Sequence, residues 1–336
     1  MNPKTSHIPR ISIAMATYNG SKYLLEQLDS LAAQTLCPYE LVVTDDGSTD
    51  NTLEIVERFS ERAPFPVRIH SNQQRLGYRD NFLSAATLCE GDLVAFCDQD
   101  DVWNARKLEM VARKFLDHDV LLVIHDVEVV TEKLESTGYF RAPNAHLPFS
   151  VQYGNSMVFR ADLPFVHDIE RPTSERDPDG SPLAHDEWIP FLASCMGKCV
   201  NLHSPLVMYR QHGSNACGFG GGESGWIHPA GPNAQNAQKF RHRALCAHEH
   251  ALTLKALIVG ANLSPRRRAY ASSNLRQWER YSQSLHYRSQ LYEHNIALAE
   301  RWKSFLNIII LRGYAKLLLG RKAFIKDALA AIKAGS

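Results

Sequence analysis

Short apolar runs alternate with amphipathic segments through the first 120 residues, and this alternation restricts the fold more than any other feature of the chain. Four runs have the length and apolar character of buried strands, and they lie at 11–16, 40–43, 67–69 and 93–97. Segments with apolar residues three and four positions apart, as on one face of a helix, lie at 22–34, 51–62, 80–89 and 103–117. Strands and helices in this order predict an α/β fold in which helices flank a mostly parallel sheet.

The second half of the chain has a different organisation. After a β-rich stretch at 120–131, prolines interrupt the pattern, a helix is predicted at 183–196 and a strand at 199–209. Residues 213–232 contain seven glycines and no periodicity, which predicts a loop. Helical periodicity then continues to the end, in runs at 236–259, 266–303 and 304–334. We therefore predict a domain over 1–220 followed by a helical region over 233–336.

Composition excludes several classes of protein. A formal net charge of +1 does not fit a globally basic nucleic-acid-binding protein. The amino-terminal segment lacks the apolar stretch and cleavage site of a signal peptide, and no run approaches the roughly 20 apolar residues of a membrane span. The seven cysteines are scattered and form no CxxC pair, so we expect reduced thiols and a cytoplasmic location, not a disulfide framework or a zinc site.

Polar side chains follow three of the predicted strands at the point where each strand ends. The segments are Thr-Tyr-Asn-Gly at 17–20, Thr-Asp-Asp-Gly-Ser at 44–48 and Asp-Gln-Asp-Asp at 98–101. Parallel strands end at one edge of a sheet, which is where open α/β sheets bind ligands. Each segment alone can also be an ordinary turn or helix cap. Their coincidence at one edge indicates a binding site.

The acidic segment at 98–101 carries the strongest chemical signal. Three carboxylates in four residues, directly after the apolar run at 93–97, repel one another unless a cation or partner offsets them. Carboxylate oxygens at an open edge suit Mg²⁺ or Mn²⁺ that also holds a substrate diphosphate. Such an ion would stabilise the charge on a departing nucleotide.

Two further polar segments lie downstream. Residues 184–188 (AHDEW) open a predicted helix, so their carboxylates lie near the positive end of the helix dipole. An acid there can act as a general base, or it can simply cap the helix. Residues 209–215 (YRQHGSN) follow a predicted strand and can complete a metal shell or bind a diphosphate, or form a surface loop.

Taken in order, seven motifs resemble those of family 2 glycosyltransferases with the Rossmann-like GT-A fold. The motifs are MATYNG, VTDDGSTD, Gly77…Asn81, FCDQDDVW, GNSMVFR, HDEW and YRQHGSNA. The chain is most similar to rhamnosyltransferase-like enzymes of bacterial polysaccharide and O-antigen assembly. The resemblance covers roughly the first 220 residues and excludes the helical tail.

The resemblance implies roles for individual residues. It implies donor-binding residues at Thr17, Tyr18, Asn19, Asp46, Gly77, Asn81, Asp98, Asn155 and Arg210. Within this set it implies that Asp46 accepts a hydrogen bond from the nucleotide base and that Asn155 borders the donor sugar. It implies Asp98, Asp100 and His212 as metal ligands, for Mg²⁺ or Mn²⁺. Asp186 matches the family's catalytic base, although Glu187 is an alternative because it stands between Asp186 and Trp188.

The function implied is a metal-dependent, inverting transfer of a sugar from a nucleoside diphosphate to a hydroxyl of a glycan or lipid-linked glycan. Rhamnose from a dTDP donor is favoured, and a UDP-hexose or UDP-N-acetylhexosamine is the alternative. The processive-synthase signature QxxRW is absent, which favours a single addition. Two other functions are considered. A nucleotidyltransferase would need a glycine- and arginine-rich phosphate loop after the first strand, and the segment ATYNG there does not provide one. The other is a non-catalytic module that binds nucleotide sugars.

The last 36 residues are strongly basic. Residues 301–336 contain eight Lys or Arg and one acid, Asp327, interleaved with aromatic and branched apolar residues. Such a pattern is typical of a helix on a membrane surface, and equally of a helix packed on the protein with a solvated basic face. Peripheral contact with the inner face of the cell membrane is therefore one of two expectations.

Overall fold

The computed structural model describes residues 8–142, 153–164, 170–175, 180–213, 215, 234–293, 296–313 and 320–332, and structural statements below concern these residues. Most of the glycine-rich segment predicted as a loop at 213–232 lies outside them. Nine strands are present in the described part of the chain: β1 Ile11–Thr17, β2 Glu40–Asp45, β3 Val67–Ser71, β4 Leu93–Cys97, β5 Val102–Trp103, β6 Val120–Val130, β7 Ser136–Arg141, β8 Met157–Arg160 and β9 Lys198–Arg210.

The described helices flank this sheet or follow it along the chain. Their bounds are α1 Leu24–Ala32, α2 Thr52–Ser60, α3 Tyr78–Thr87, α4 Lys107–Ala112, α5 His185–Met196, α6 Ala234–Gly260, α7 Pro265–Leu291, α8 Leu298–Ile310 and α9 Gly320–Ile332. Short 3₁₀ turns cover Arg113–Leu116 and Gly154–Ser156. The predicted α/β fold class is confirmed.

The strands form one sheet with the order β3-β2-β1-β4-β8-β6-β9-β5, and β7 pairs with β6. Strands β3, β2, β1 and β4 run parallel to one another, whereas β8 is antiparallel to both β4 and β6. The sheet is thus mixed, not mostly parallel. Strands β7 and β8 come from a region of sequence without an alternating pattern, so their contribution was not predicted.

The order of the parallel strands creates the crevice in which a ligand can bind. The chain moves from β1 outward to β2 and β3, and then returns to place β4 on the other side of β1. Loops after β1 and β4 therefore diverge at the carboxyl edge, which is the switch point of an open α/β sheet. The segments 17–20 and 98–101 lie at this switch point.

Burial explains why these segments become strands and helices. The side chains of β1, β2 and β4 are almost all buried, and α1 places Leu24, Leu28 and Leu31 against the sheet with no exposed surface. Fully burying one such leucine contributes roughly 1.5–3 kcal/mol. The spacing of three and four residues that predicted the helix is the spacing that brings these side chains to one face.

Two predicted elements differ from the observed ones. The helix predicted at 103–117 begins only at Lys107, because Val102 and Trp103 pair with β9 as a short antiparallel strand. The run predicted at 266–303 is divided between α7 and α8, with Leu291 ending the first helix and Leu298 beginning the second. No glycine or proline marks this division in the sequence.

The chain separates into two compact units. The first comprises 1–167 and 184–221 and contains the sheet, and the second comprises 168–183 and 222–336 and contains α6 to α9. The segment 168–183 is held in the second unit, where Glu249 accepts a hydrogen bond from the Thr173 amide at 2.8 Å and Arg243 pairs with Glu175 at 2.8 Å. Within the described residues, none of the helices combines the length and apolar character needed to cross a membrane.

Candidate active site

The loops that follow β1 and β2 are tied to each other by hydrogen bonds. The Asn19 amide donates to Ser48 Oγ at 2.9 Å, and Asn19 Oδ1 accepts from the Thr49 amide at 2.8 Å. Asn19 has a positive φ of 47°, a conformation that asparagine tolerates better than most residues. This bonding gives the carboxyl edge a fixed shape before any ligand binds.

Two of the predicted donor-binding residues support these loops from below. Thr17 is buried and its hydroxyl donates to Asp45 Oδ2 at 2.8 Å, while the buried Asn81 amide donates to the Thr44 carbonyl at 3.1 Å. Their polar groups thus join β1, β2 and α3. That Thr17 and Asn81 also line the donor site stays a prediction.

Asp46 holds the segment between β3 and α3. Its Oδ1 accepts from the Leu76 amide at 2.6 Å and its Oδ2 from the Gly77 amide at 2.8 Å. Gly77 has a φ of 78°, which only glycine adopts without strain at this helix start. The Asp46 carboxylate is 4% exposed, so any contact with a nucleotide base must come in addition to these bonds.

An exposed aromatic–cation pair stands at the same edge. Tyr18 is 38% exposed, and the Arg75 guanidinium lies over its ring with the central carbon 4.0 Å from the ring centroid. A tyrosine face and a guanidinium can contact a base and a phosphate respectively. The Tyr18 backbone is in turn fixed by Gln99, whose side chain accepts from the Tyr18 amide at 3.0 Å and donates to its carbonyl at 3.1 Å.

The acidic loop after β4 gathers carboxylates from two parts of the chain. Burial, followed by the charges of Asp100 and Asp186, raises the pKa of the Asp98 carboxyl to about 7, while the charge of Lys107 opposes this rise. Asp186 therefore lies near enough to Asp98 for its charge to act on it, although almost ninety residues separate the two in the chain. Such a cluster is expected to attract a cation.

Asp101 lies beneath the loop and is fully buried. Its carboxylate accepts hydrogen bonds from the Asn155 side-chain amide and from the Arg210 backbone amide, the latter at 3.0 Å. Burial and the neighbouring Asp100 and Asp98 raise the pKa of Asp101 well above its usual range. Asn155 itself has no exposed surface and joins the acidic loop to the start of β8, and its contact with the donor sugar stays a prediction.

Lys107 is a buried basic residue beside this group. Its ammonium donates to the Asn155 carbonyl at 2.6 Å and lies 3.3 Å from the centroid of the Trp103 ring. Burial lowers the pKa of Lys107 to about 7, and the charges of Cys97, Asp101 and Asp98 counteract that change. Lys107 therefore offsets the acidic loop from inside the protein.

The Arg210 guanidinium is engaged within the protein. Its Nε donates to the Asp100 carbonyl at 2.7 Å, its Nη1 donates to the Glu132 carbonyl at 2.7 Å, and its Nη2 pairs with Glu26. A buried guanidinium needs partners for its N–H groups, and these are found in the loops around the site. These bonds anchor the backbone of the acidic loop, and binding of the donor diphosphate by Arg210 stays a prediction.

His212 faces the acidic loop directly. Its Nε2 lies 2.9 Å from Asp100 Oδ2, and its ring lies 4.6 Å from the ring of Tyr23 on the segment before α1. Tyr23 also donates its hydroxyl to Glu132 at 2.8 Å. His212 thus covers one side of the acidic loop, and the Asn215 side chain accepts from the His212 amide at 2.6 Å.

Both candidate bases lie in the first turn of α5, and both are partly exposed. Helix α5 begins at His185, and Glu187 Oε2 accepts from the Ala184 amide at 3.1 Å, so Glu187 caps its own helix. The charge of Asp186 acts on Asp98 in the acidic loop. The identity of the base stays a prediction.

His185 orients this turn through packing. Its ring stacks on Phe82 at 4.2 Å between centroids and meets the edge of Phe96 at 5.1 Å. Gly154 approaches the ring so closely that a Cβ there would lie 2.6 Å from His185 Nε2. The imidazole is therefore held in an aromatic enclosure, and the backbone beside it carries Asp186.

The residues around the acidic loop fit a divalent cation that shares its ligands with a substrate. In the described part of the chain, no three His, Cys, Asp or Glu side chains stand in a metal-ligand arrangement, so Asp98, Asp100 and His212 are not a ready-made cage. Mg²⁺ is commonly held by one or two carboxylates together with substrate phosphates. Asp98 and Asp100 supply that donor set, and His212 already contacts Asp100.

Three residues of this site were missed in the sequence analysis. Gln99 was counted only as part of an acidic motif, and neither Tyr23 nor Lys107 was singled out. Lys107 lies six residues after the acidic loop at the start of a helix, so its proximity in sequence was a usable signal. The pairing of Tyr23 with His212 joins residues 189 positions apart, and no local pattern indicates it.

Comparison with known proteins gives a consistent result. Residues 12–167 match the family model described as Glycosyl transferase family 2. An uncharacterized glycosyltransferase of Nostoc sp., alr2836, is 30% identical over 215 residues, which are 61% of this chain and 66% of that protein. The UDP-Glc:alpha-D-GlcNAc-diphosphoundecaprenol beta-1,3-glucosyltransferase WfgD of Escherichia coli is 31% identical over 133 residues, 40% of this chain and 51% of the relative.

A solved structure shares the fold. The crystal structure of S. aureus TarS 1–349 in complex with UDP superposes with a TM-score of 0.53 at 19% identity, over 96% of this chain and 88% of that one. At this identity the likeness concerns the fold, which is of the GT-A type with a helical carboxyl-terminal region. The chain spans just under two thirds of the Nostoc relative and about half of the E. coli one.

Proposed function

We propose that this chain, whose residues 12–167 match the family model of glycosyl transferase family 2, is an enzyme that transfers a sugar from a nucleoside diphosphate to a hydroxyl of a glycan or lipid-linked glycan, with inversion at the anomeric carbon. The observation that carries the proposal is the convergence of Asp98, Asp100 and Asp186 at the switch point of the sheet. A donor diphosphate and an acceptor hydroxyl can be handled together at such a place.

Asp186 is the residue best suited to accept the acceptor proton. It lies in the first turn of α5, where the helix dipole favours its ionised form, and it is partly exposed. As the acceptor oxygen forms its bond to the anomeric carbon, the proton passes to the Asp186 carboxylate and the bond to the diphosphate oxygen breaks. No covalent bond to the protein is required, because one displacement suffices for inversion.

Asp98 and Asp100 would hold the divalent cation, with His212 beside Asp100. When bound, that ion supplies positive charge that stabilises the leaving diphosphate. The protein's own contribution is to fix the two carboxylates: Arg210 anchors the Asp100 carbonyl, and Lys107 and Asn155 support the loop from beneath. Tyr18 and Arg75 are the exposed groups best suited to receive the base and a phosphate.

Two alternative donors are proposed, each on a separate ground. The resemblance of the motifs favours rhamnose, whereas the E. coli relative is named for a UDP-glucose donor and the S. aureus structure holds UDP, which favours uridine. Pocket contacts decide the sugar, and the fold itself does not. The two alternatives are separated by experiment.

The proposal is tested by incubating the chain with Mn²⁺ and, separately, dTDP-rhamnose, UDP-glucose, UDP-galactose and UDP-N-acetylglucosamine, with a diphospho-lipid-linked sugar as acceptor. A transferase releases free nucleoside diphosphate together with a lengthened acceptor, and D186N does not. Tight donor binding without release from any donor would instead support a non-catalytic binding module. Release of pyrophosphate with formation of a new nucleotide sugar would support a nucleotidyltransferase.

A further inference from the structure

Helix α8 carries two separate apolar faces. The face turned into the protein contains Ser304, Phe305 and Ile308, all buried. Leu298, Trp302, Leu306 and Ile309 follow one another at intervals of four, four and three residues, so they form a second stripe, and each is at least 40% exposed. Ile310 at the end of the helix is 76% exposed.

Helix α9 repeats this arrangement. Its small residues Ala323, Ala330 and Ala331 are buried, whereas its large apolar residues are exposed. The exposed set is Phe324, Ile325, Leu329 and Ile332, and the last three are exposed by 60% or more. A helix that buries alanines and presents isoleucine and leucine reverses the usual distribution for a helix packed in a soluble protein.

The two exposed faces are connected through aromatic contacts. The Trp302 ring lies 5.9 Å from the Phe305 ring, and Phe305 lies 5.6 Å from Phe324 on the other helix. We call the exposed apolar residues of both helices the α8–α9 surface: Leu298, Trp302, Leu306, Ile309, Ile310, Phe324, Ile325, Leu329 and Ile332. Single exposed apolar residues need no explanation, but nine on two contacting helices mark an interaction site.

Charge around the α8–α9 surface is positive. Lys303, Arg312, Lys322 and Lys326 are exposed on or beside the two helices. Within the described residues of α8 and α9, the exposed acid is Glu300, which lies 3.5 Å from Lys303. The one acid in the tail, Asp327, has no exposed surface and pairs with Arg288 at 2.9 Å, so its charge is neutralised inside the protein.

We propose that the α8–α9 surface docks on an anionic lipid bilayer, lying in the plane of the interface. An amphipathic pair of short helices with leucine, isoleucine, phenylalanine and tryptophan on one face and lysines at its flank is suited to the boundary between head groups and acyl chains. Trp302 has the aromatic character favoured at that depth. Neither helix, at 13 residues each, spans a bilayer.

The charge distribution favours lipid over a second copy of the chain. A symmetric dimer through this surface would bring two sets of these cations to one interface with few exposed acids to offset them, which costs stability. Anionic head groups complement all four cations, and the apolar side chains enter the acyl region. The surface belongs to the helical unit alone, so the proposal does not depend on the transfer activity.

The test measures sedimentation of the full chain with vesicles. Vesicles of phosphatidylcholine that contain ~30 mole per cent of the anionic lipid phosphatidylglycerol are compared with vesicles of pure phosphatidylcholine, which have no net charge. We expect strong binding to the anionic vesicles, weakened by salt. The variant I325S/L329S should reduce the partition coefficient at least tenfold, because each side chain loses its apolar burial.

Matched substitutions on α6 are the controls. Leu252 and Val259 are 51% and 79% exposed there, so L252S/V259S removes comparable apolar surface elsewhere in the same unit. K322Q/K326Q should lower binding to anionic vesicles by about 30-fold, since each cation near the surface contributes roughly a factor of five. K255Q, at an exposed lysine of α6, should leave it unchanged.

Thermal unfolding followed by circular dichroism establishes that each variant is folded, and donor binding is measured in parallel. Binding that the α6 substitutions reduce as much as the α8–α9 substitutions do would overturn the proposal. A concentration-dependent dimer that I325S/L329S abolishes, without vesicle binding, would overturn it in favour of a second copy. Loss of vesicle binding in I325S/L329S with donor binding intact supports it.

Discussion

At the scale of single residues, the site is a group of carboxylates whose mutual repulsion is offset mainly by basic side chains of the protein itself. Asp98, Asp100 and Asp101 occupy one loop, and Lys107, Arg210 and His212 are the cationic or basic groups that described residues bring to it. Glu40, at the opposite end of β2, is paired instead with Arg68 at 2.7 Å. The acidic loop, by contrast, brings several carboxylates together, and such a cluster favours a cation.

Substitutions of Asp186 and of Glu187 test which of the two carboxylates is the base. D186N should lower kcat by about 10²–10⁴-fold while donor affinity changes little, because the amide cannot accept the proton. E187Q should keep most of the activity and lose about 0.5–1 kcal/mol of stability, since Glu187 caps α5. Steady-state kinetics and urea unfolding measure both. Loss of kcat in E187Q with D186N still active would move the base to Glu187.

Metal affinity should depend on pH through Asp98. A carboxyl whose pKa is raised to about 7 must release its proton to bind a cation, so protons compete with the metal below that pH. The Mn²⁺ affinity of the free protein should rise about tenfold from pH 6 to pH 8 and then level off. Titration calorimetry in buffers of different ionisation enthalpy measures the proton release. A constant affinity over this range would contradict the raised pKa.

The raised pKa of Asp98 also affects the stability of the metal-free protein. The folded pKa of Asp98 lies above the ordinary value of 3.8, so the folded state binds the proton more tightly than the unfolded state does. This contribution to stability is fully present below about pH 4 and is lost as pH rises to about 7. Mn²⁺ should therefore raise the melting temperature more at pH 8 than at pH 6.

Lys107 should be needed for stability because of what surrounds it. K107M leaves the Asn155 carbonyl without its donor and removes the cation beneath Asp98 and Asp101, so we expect a loss of about 3 kcal/mol or more. K114M, at an exposed lysine of the next turn, should change stability by less than about 0.5 kcal/mol. Urea unfolding compares the two. Equal stabilities would show that the buried ammonium does not offset the loop.

At the scale of secondary-structure elements, the features that depend on residues adjacent in the sequence were predicted well. Strand β4 was predicted at its observed bounds, and the acidic loop was placed correctly after it, because the apolar run and the carboxylates are adjacent in sequence. The start of α5 was predicted at residue 183, two residues before its observed start at His185. Strand β5 was not, since Val102 and Trp103 become a strand only by pairing with β9, about a hundred residues away.

The roles of several polar side chains were not predictable for the same reason. Arg210 was interpreted as a diphosphate ligand from its motif, but its guanidinium partner Glu26 is 184 residues distant. Thr17 and Asn81 carry side chains common in binding loops, and only the structure reveals that their hydrogen bonds join β1, β2 and α3. Residue type and position indicated the site, whereas the long-range hydrogen bonds of these residues are visible only in the structure.

The contact between Gly154 and α5 gives a prediction at this scale. In G154A the new methyl group would meet His185 Nε2 at 2.6 Å, and the ring cannot retreat because Phe82 and Phe96 enclose it. We expect a loss of about 1–3 kcal/mol and a reduced kcat, since the first turn of α5 carries Asp186. G260A is the control, because nothing lies within 4 Å of its Cβ position. Wild-type kcat in G154A would mean that the enclosure does not position Asp186.

At the scale of the whole molecule, two compact units divide the work that the chain is proposed to do. The first holds the sheet, the acidic loop and Asp186, and its fold is shared with known glycosyltransferase structures. The second includes α8 and α9 with their exposed apolar surface, together with the segment 168–183. Donor chemistry and membrane attachment are thus proposed for separate units and can fail separately in experiment.

The central claim is that Asp98 and Asp100 hold a divalent cation that also binds the diphosphate of the donor. The most direct test is the affinity for UDP and dTDP, measured by calorimetry with Mn²⁺ and with a chelator, for the wild-type chain and for D100N. The account predicts that Mn²⁺ strengthens binding of one nucleotide at least tenfold in the wild type and has no such effect in D100N. Equal affinity with Mn²⁺ and with chelator, or the same enhancement in D100N, would contradict it.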